Sequence, residues 1–323
     1  MSLKVSNLSK LYDQKWVLRD VSFEANRGEI LGLFGASASG KTTLLSALAG
    51  REKMNGGSIH IDADDVSAAS VRNGGRVTAL PVNDGTWKRF FGSDRSSLPA
   101  GAKQVNAISE MAGSTKNVLL LDDPFCSMDA EQKLESFNFV RRIAKEKGLV
   151  VVFATSNFGD ILQFCDKVAV IADSEIRQVG TPQEVYLEPQ SRAVARITGR
   201  NNLFEARRLT SSKAEVPQFQ TIDGSHRLSV QKIGKSLLGA LNQNVSLGIR
   251  PEHISISFGA SFPEDNLIKA KITDVRFLGP TTLVALDSDG LRLDALVLRL
   301  VGLNAGDECM LGLPPDRIAV FRD

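Results

Sequence analysis

Residues 35–42 read Gly-Ala-Ser-Ala-Ser-Gly-Lys-Thr, the spacing G-x-x-x-x-G-K-[ST] of a phosphate-binding loop. The loop follows a short apolar stretch of strand length, Ile30–Phe34, and precedes leucines at helical spacing at positions 44, 45 and 48. In a strand, loop and helix of this kind, backbone N–H groups and the helix N-terminus face a polyphosphate. The sequence therefore predicts an α/β fold that binds a nucleotide at this loop.

The side chains of the loop have separate expected roles at a bound nucleotide. Lys41 is placed to reach the β- and γ-phosphates, and the hydroxyl of Thr42 is placed to bind Mg²⁺. The residues predicted to bind the nucleotide through this loop are Gly35, Ala36, Ser37, Ala38, Ser39, Gly40, Lys41, Thr42 and Thr43.

A second motif supports the first. The apolar run Val-Leu-Leu-Leu-Asp at 118–122 ends in an acid, as expected of a buried parallel strand that brings a carboxylate to the carboxyl edge of a sheet. In phosphate-loop proteins such an acid supports the magnesium ion. Asp122 therefore joins Thr42 as a predicted Mg²⁺ ligand.

The pattern of apolar segments divides the chain into two parts. Strands alternating with helices predict a parallel sheet in the first part, with strands at 30–34, 77–82, 118–121, 150–154 and 168–171. Short strands between turns predict an all-β second part, at 203–209, 245–249, 268–277, 282–286, 291–296, 308–312 and 318–321. We therefore expect a nucleotide-binding domain at 1–200 and a β-rich domain at 201–323.

The composition is that of a globular protein without a strong charge. Of the 323 residues 42% are apolar, and the formal net charge is +2, so nothing indicates nucleic-acid binding. The sequence shows no N-terminal signal and no apolar run near roughly eighteen residues, so we expect no membrane span. Cys126, Cys165 and Cys309 lack metal-binding spacing and fit a reducing cytoplasm.

With these motifs the chain resembles the ATP-binding subunits of ABC transporters, specifically the maltose/polyamine-type importer ATPases with a C-terminal β domain. The resemblance includes Gly-Ile-Arg-Pro-Glu-His at 248–253, typical of that domain, and Val-Gly-Thr-Pro-Gln-Glu-Val-Tyr at 179–186. It implies ATP and Mg²⁺ as cofactors, with Tyr12 stacking on the adenine. It also implies that the second domain consists of OB-like barrels.

Two further loops of the family correspond to segments of this chain. The signature loop, Leu-Ser-Gly-Gly-Gln in the family, falls on Leu98, Pro99, Ala100, Gly101 and Ala102. In the family this loop binds the γ-phosphate held by the opposite subunit, and Pro99 offers neither a hydroxyl nor an N–H for it. The D-loop corresponds to Ser127, Met128 and Asp129.

Two catalytic positions of the family carry different residues here. Asp123 stands where the family has Glu, and its side chain is one methylene shorter. Ser156 occupies the place of the switch histidine and carries no charge. A misplacement of about 1 Å can cost on the order of a hundredfold in rate. We therefore expect the chain to bind ATP but to hydrolyse it weakly or not at all.

The segment between residues 41 and 98 is shorter than in the family, where it holds the Q-loop and a helical subdomain that contacts the membrane subunit. Val82 or Asn83 occupies the Q-loop glutamine position. Three aromatic residues follow it: Trp87, Phe90 and Phe91. They are compatible with a docking face for a partner or with the core of the shortened subdomain.

The expected function is that of the ATP-binding subunit of an import complex. Two transmembrane permease subunits would hold it at the inner, cytoplasmic face of the cell membrane, and a solute-binding protein would serve the complex. The altered residues lie in both halves of the chain, so both sites of a homodimer would lack the signature ligands, the catalytic Glu and the switch His. We therefore expect a heterodimer with a second ATPase that carries the consensus residues of the family. An active homodimeric motor and a soluble regulator without permease are the alternatives. A carbohydrate or polyol is the expected solute, on family frequency alone.

Overall fold

The computed structural model describes residues 2–67, 77–80, 108, 110–111, 113, 117–126, 128–209, 216–231, 240–258, 265–298 and 302–322. Contacts divide the chain into two compact units, 1–187 and 188–323. The domain boundary that the sequence places after residue 200 stays a prediction.

The first unit alternates strands and helices after an antiparallel start. Its strands are β1 (Ser2–Tyr12), β2 (Lys15–Asn26), β3 (Ile30–Phe34), β4 (Gly56–Ile61), β5 (Asp64–Asp65), β6 (Val77–Leu80), β7 (Val118–Asp122), β8 (Val150–Thr155), β9 (Lys167–Ala172) and β10 (Glu175–Gly180). The helices whose bounds the structure describes are α1 (Lys41–Leu48), α2 (Ala130–Lys147), α3 (Phe158–Phe164) and α4 (Pro182–Leu187).

Six of these strands form the central sheet, in the order β10-β9-β3-β8-β7-β6. The pairs β9–β3, β3–β8, β8–β7 and β7–β6 are parallel, and β10 runs antiparallel to β9. Strands β3, β7 and β8 are buried along their whole length, as expected of parallel strands that are covered on both faces. The predicted α/β sheet is therefore confirmed.

A second, antiparallel sheet has the order β2-β1-β4-β5. Strands β1 and β2 are joined by Asp13 and Gln14, which have φ angles of +44° and +67°. Positive φ at both central residues is the conformation that matches a two-residue turn to the twist of a hairpin. The hairpin thereby brings residues at the start of β2 close to the phosphate-binding loop.

Helix α2 buries one face in an aromatic cluster that packs on strand β8 of the central sheet. Phe137 of α2 stacks on Phe164 with ring centroids 4.5 Å apart and meets Phe125 edge-on at 5.3 Å. Phe153 of β8 completes the cluster, 5.1 Å from Phe164. All four rings are buried, so apolar burial and ring–ring contacts together stabilise this layer.

In the described part of the second unit, most of the regular secondary structure is β. This unit has a short helix, α5 (Arg192–Ile197), and the strands β11 (Asn202–Arg208), β12 (Gln218–Thr221), β13 (Arg227–Ser229), β14 (Asn244–Ile249), β15 (Ser255–Ser257), β16 (Asn266–Phe277), β17 (Thr282–Ser288), β18 (Leu291–Val297), β19 (Glu308–Leu313) and β20 (Ala319–Phe321). Two antiparallel sheets, β13-β12-β11-β14-β20 and β15-β19-β16-β17-β18, share one apolar core. The predicted all-β domain is therefore confirmed, although β12, β13 and β15 were not among the predicted strands.

Within the described part of the chain, no helix combines the length and the apolar character needed to cross a membrane. The shortened helical subdomain that the sequence predicts lies largely outside the described residues.

Replacing Phe137 by Ala is expected to lower the free energy of unfolding of the first unit by about 3–5 kcal/mol, because it removes a buried ring and leaves a cavity. Phe139→Ala is the matched control on the same helix. Phe139 is half-buried, its ring lies 5.7 Å from the Arg142 guanidinium, and its loss should cost about 1 kcal/mol.

Urea unfolding followed by tryptophan fluorescence measures the difference, because both tryptophans, Trp16 and Trp87, belong to the first unit. Equal losses for the two variants would contradict the prediction.

Candidate nucleotide-binding site

The parallel register brings three strand ends together at one edge of the central sheet. Phe34, the last residue of β3, pairs with Thr155, the last residue of β8. Asp122, the last residue of β7, pairs with Ala154. The loop 35–42 therefore leaves the sheet beside the ends of β8 and β7, at the carboxyl edge where open α/β sheets bind ligands.

Two glycines of the loop are required by their surroundings. Gly40 has a φ of +99°, and a Cβ there would lie 2.9 Å from the carbonyl oxygen of Val17 and from Leu18 Cδ2. A Cβ on Gly35 would lie 2.5 Å from the carbonyl oxygen of Ile171. A side chain at either position would displace the loop from β2 or β9. The loop and the first turn of α1 are completed by Ser37, Ala38 and Thr43.

Lys41 begins α1 and turns its ammonium back onto the loop. Its Nζ donates to the carbonyl oxygens of Gly35 and Ala36, each 2.8 Å away, and lies 3.5 Å from Ser39 Oγ. Burial lowers the pKa of Lys41, and nearby carboxylates oppose this shift. The loop therefore holds a desolvated cation that phosphate oxygens can bind in place of the carbonyls.

The N-terminus of α1 is suited to an anion. Gly40, at the N-cap, has no side chain to accept a hydrogen bond from the first-turn amides, and no acid lies in that turn. The free N–H groups and the helix dipole both favour a phosphate group at this position. The loop residues therefore fit the triphosphate of ATP.

Asp122 and Thr42 form the candidate Mg²⁺ site. Burial raises the pKa of Asp122, a hydrogen bond with the Thr42 side chain opposes the rise, and the charge of Asp123 adds to it. Hydroxyl and carboxylate oxygens are suitable ligands, since Mg²⁺ commonly takes one or two carboxylates together with phosphates and waters. Among the described residues, no group of three or more His, Cys, Asp and Glu could hold a metal. Phosphate oxygens and waters would complete the coordination.

Asp123 is held against β8 by two hydrogen bonds that were not predicted from the sequence. Its N–H donates to the carbonyl oxygen of Ala154 at 2.8 Å, and Thr155 Oγ1 donates to its Oδ1 at 3.2 Å. The same Thr155 oxygen accepts a hydrogen bond from the N–H of Asn157 at 3.1 Å. Burial raises the pKa of Asp123, and the hydrogen bond from Thr155 opposes the rise. The carboxylate is thus fixed beside the end of β8.

An ion pair near Asp123 was also missed. Lys133 Nζ of α2 lies 3.1 Å from Asp160 Oδ2 of α3, and both charges act on the pKa of Asp123, Asp160 raising it and Lys133 lowering it. The two residues are 27 positions apart and belong to no motif, so only the packing of the helices reveals them. Ser156, by contrast, is exposed.

Tyr12 ends β1 at the hairpin turn. Lys10 pairs across the hairpin with Leu18, whose side chain approaches Gly40 of the loop. The Tyr12 side chain is 39% exposed, so a base can reach its ring. This position is compatible with stacking on adenine, which stays a prediction.

The D-loop residues that the structure describes make contacts with α2. Met128 is buried, and its Sδ accepts a hydrogen bond from Ser136 Oγ at 3.3 Å. Asp129 caps α2, because its Oδ1 accepts from the N–H of Gln132 at 2.9 Å. Outside the described residues lie Ser127, the signature loop 98–102, the Q-loop position 82–83 and the aromatic residues at 87, 90 and 91.

Two families match separate stretches of the sequence. The family described as ABC transporter matches residues 18–89, and the TOBE domain matches residues 247–321. Two solved structures share the fold, and their sequence identities to this chain are too low to show more than the fold. A nucleotide-free ATP-binding cassette from an ABC transporter has a TM-score of 0.53 at 16% identity, covering 62% of this chain and 100% of that chain. An ATP-binding cassette in its ADP conformation has a TM-score of 0.52 at 17% identity, covering 61% and 98%.

Related sequences extend the match over nearly the whole chain. The sulfate/thiosulfate import ATP-binding protein of Bacillus cereus is 27% identical over 370 residues, covering 99% of this chain and 98% of that protein. The spermidine/putrescine import ATP-binding protein of Clostridioides difficile is 26% identical, covering 99% and 97%. The sulfate/thiosulfate import ATP-binding protein of Photorhabdus laumondii is 31% identical over 243 residues, covering 63% and 67%. The chain therefore belongs to the ATP-binding proteins of ABC transporters, among the import ATP-binding proteins that carry a C-terminal TOBE domain.

Proposed function

We propose that this chain is the ATP-binding subunit of an ABC import complex and binds ATP·Mg²⁺ at the loop 35–42. The proposal is carried by the convergence of Lys41, Thr42 and Asp122 at one edge of a parallel sheet. Lys41 and the first-turn amides of α1 bind the phosphates, Thr42 and Asp122 hold the metal, and Tyr12 stacks on the adenine. When bound, Mg²⁺ neutralises part of the charge on the β- and γ-phosphates.

We further propose that this chain alone hydrolyses ATP weakly. Asp123 takes the place of the Glu that orients the attacking water, and its shorter side chain is hydrogen-bonded to Thr155. Ser156 offers a hydroxyl where the family has an imidazole. Since each tenfold loss of rate corresponds to about 1.4 kcal/mol of barrier, two imperfect groups are enough to make turnover slow.

The complex that we propose pairs this chain with a second, consensus ATPase and with two permease subunits at the inner face of the cell membrane. The distribution of the altered residues supports this pairing, because Pro99 affects the partner's site whereas Asp123 and Ser156 affect this chain's own site. The partner's site would keep the partner's Glu and His, so most turnover would occur there. A homodimer would lack all of these groups at both sites.

The transported solute is proposed from the relatives. Their names give sulfate/thiosulfate and spermidine/putrescine as the imported solutes. We therefore propose one of these two solute classes for the complex. The carbohydrate or polyol expected from the sequence finds no support in these names.

Lys41→Ala is expected to weaken ATP·Mg²⁺ binding by roughly ten- to a hundredfold, because hydrogen bonds from a charged donor to the phosphates are lost. Lys4→Ala, which removes an exposed lysine of β1, is the matched control and should leave the affinity unchanged. Isothermal titration calorimetry with the purified chain measures both. Unchanged affinity in Lys41→Ala would place the nucleotide elsewhere.

Asp122→Asn is expected to raise the melting temperature of the nucleotide-free protein. Because burial raises the pKa of Asp122, its charged form destabilises the folded state above that pKa. The gain should be largest at neutral pH and should shrink as the pH falls through the raised pKa, where the wild-type carboxyl is itself protonated.

Asp129→Asn is the control for Asp122→Asn, since Asn also caps a helix and Asp129 is exposed. Differential scanning calorimetry from pH 4 to 8 gives the comparison. A gain of the same size at every pH would refute the electrostatic explanation. Asp122→Asn should also weaken the Mg²⁺-dependent part of ATP binding.

The chain purified alone is expected to bind ATP·Mg²⁺ with negligible phosphate release. Purified from its native membranes in mild detergent, it should bring permease subunits and a second ATPase, identified by mass spectrometry, and this sample should hydrolyse ATP. Turnover by the isolated chain at ordinary ABC ATPase rates would support the active homodimer instead. Recovery without permease subunits would contradict the proposed complex.

A further inference from the structure

Three side chains form a cluster around the Lys10 ammonium at the end of β1, which we call the Lys10 cluster: Lys10, Tyr12 and Glu52. Lys10 Nζ donates to Glu52 Oε2 and to the carbonyl oxygen of Lys53, each at 2.9 Å. The same Nζ lies 4.5 Å from the centroid of the Tyr12 ring. One ammonium therefore joins the aromatic residue to the segment that follows α1.

Lys10 and Tyr12 differ in exposure. Lys10 is 8% exposed, whereas Tyr12 keeps 39% of its surface accessible. A buried lysine is stable only when its charge is paired and its N–H groups are satisfied, and Glu52 and the Lys53 carbonyl do both. Tyr12 thus has a fixed cation over one face of its ring while much of the side chain remains in solvent.

The carboxylate of Glu52 fixes the position of this ammonium, since Glu52 Oε2 lies 2.9 Å from Lys10 Nζ. Burial raises the pKa of Tyr12, and the negative charge of Glu52 raises it further. The ring is therefore restrained across one face by the Lys10 ammonium, which Glu52 and the Lys53 carbonyl hold in place.

The cluster lies one strand away from the phosphate-binding loop. Lys10 pairs in the hairpin with Leu18, and a Cβ on Gly40 would lie 2.9 Å from Leu18 Cδ2. Because neighbouring strands are about 5 Å apart, Tyr12 is within reach of a nucleotide whose phosphates lie on the loop.

We propose that Lys10 and Glu52 are positioning residues that hold the Tyr12 ring as a preformed platform for the purine base of ATP. This inference rests on the proposed nucleotide site. Stacking of a base on an aromatic side chain contributes about ten- to a hundredfold in affinity. Immobilising a free side chain on binding costs roughly two- to tenfold, and Lys10 and Glu52 remove most of that cost before ATP arrives.

Calorimetric titration of the full chain with ATP·Mg²⁺ and with Mg²⁺-tripolyphosphate tests the proposal, because only ATP has a base. Tyr12→Ala should weaken ATP binding about tenfold or more and leave tripolyphosphate binding unchanged. Lys10→Met keeps the aliphatic stem and removes the charge, and it should weaken ATP binding about two- to tenfold with the same selectivity. Lys10→Arg retains a cation over the ring and should restore most of the affinity.

Glu52→Gln provides a second variant at a more exposed position, should Lys10→Met fail to fold. It should weaken ATP binding because it removes the charge that holds the Lys10 ammonium over the ring, whereas Tyr12→Phe, which keeps the ring, should leave ATP binding nearly unchanged. Equal losses for ATP and tripolyphosphate in Lys10→Met or Glu52→Gln would show a merely structural role and overturn the proposal. So would unchanged ATP binding in both variants. Absence of binding of either ligand to the wild-type chain would instead overturn the proposed nucleotide site.

Discussion

The parallel alignment of β3, β8 and β7 is the constraint on which the candidate site depends. Because these strands run in the same direction, the loop after β3 and the two acids at the end of β7 reach the same edge as Thr155. A slip of one residue in β7 would turn the Asp122 side chain to the opposite face of the sheet. The strands are buried on both faces, so core packing sets the register and thereby sets the geometry of the site.

Burial shifts all three ionisable groups at this edge toward their neutral forms, lowering the pKa of Lys41 and raising those of Asp122 and Asp123. Their opposite charges offset part of this effect, since each carboxylate stabilises the ammonium and the ammonium stabilises each carboxylate. In the absence of Mg²⁺, the carboxylates of Asp122 and Asp123 still repel each other. The residues that suit ATP·Mg²⁺ are therefore a source of instability in the nucleotide-free fold, as is common at functional sites.

The phosphate-binding loop, the strands around it and the position of Asp122 could be predicted because they are encoded in short, contiguous segments. The contacts that define the surroundings of Asp123 could not, because Thr155 reaches it through the pairing of β7 with β8 and Lys133 meets Asp160 through helix packing. The same holds for Lys10 and Glu52, which are 42 residues apart. Strands β12, β13 and β15 were missed because each has only one apolar residue among three or four, which gives no alternation to recognise. The solute could not be predicted from the sequence, because none of these residues would contact it.

The hydrogen bonds of Lys41 to the carbonyl oxygens of Gly35 and Ala36 have a consequence for the speed of nucleotide capture. Its ammonium gives up its water shell when the chain folds, and the two carbonyls keep it in place until a ligand arrives. At the proposed site, an incoming phosphate would therefore exchange one set of oxygen acceptors for another, without first removing water from the cation. Such an exchange has a small reorganisation barrier, so encounter with ATP would be limited by diffusion and charge steering rather than by rearrangement of the loop.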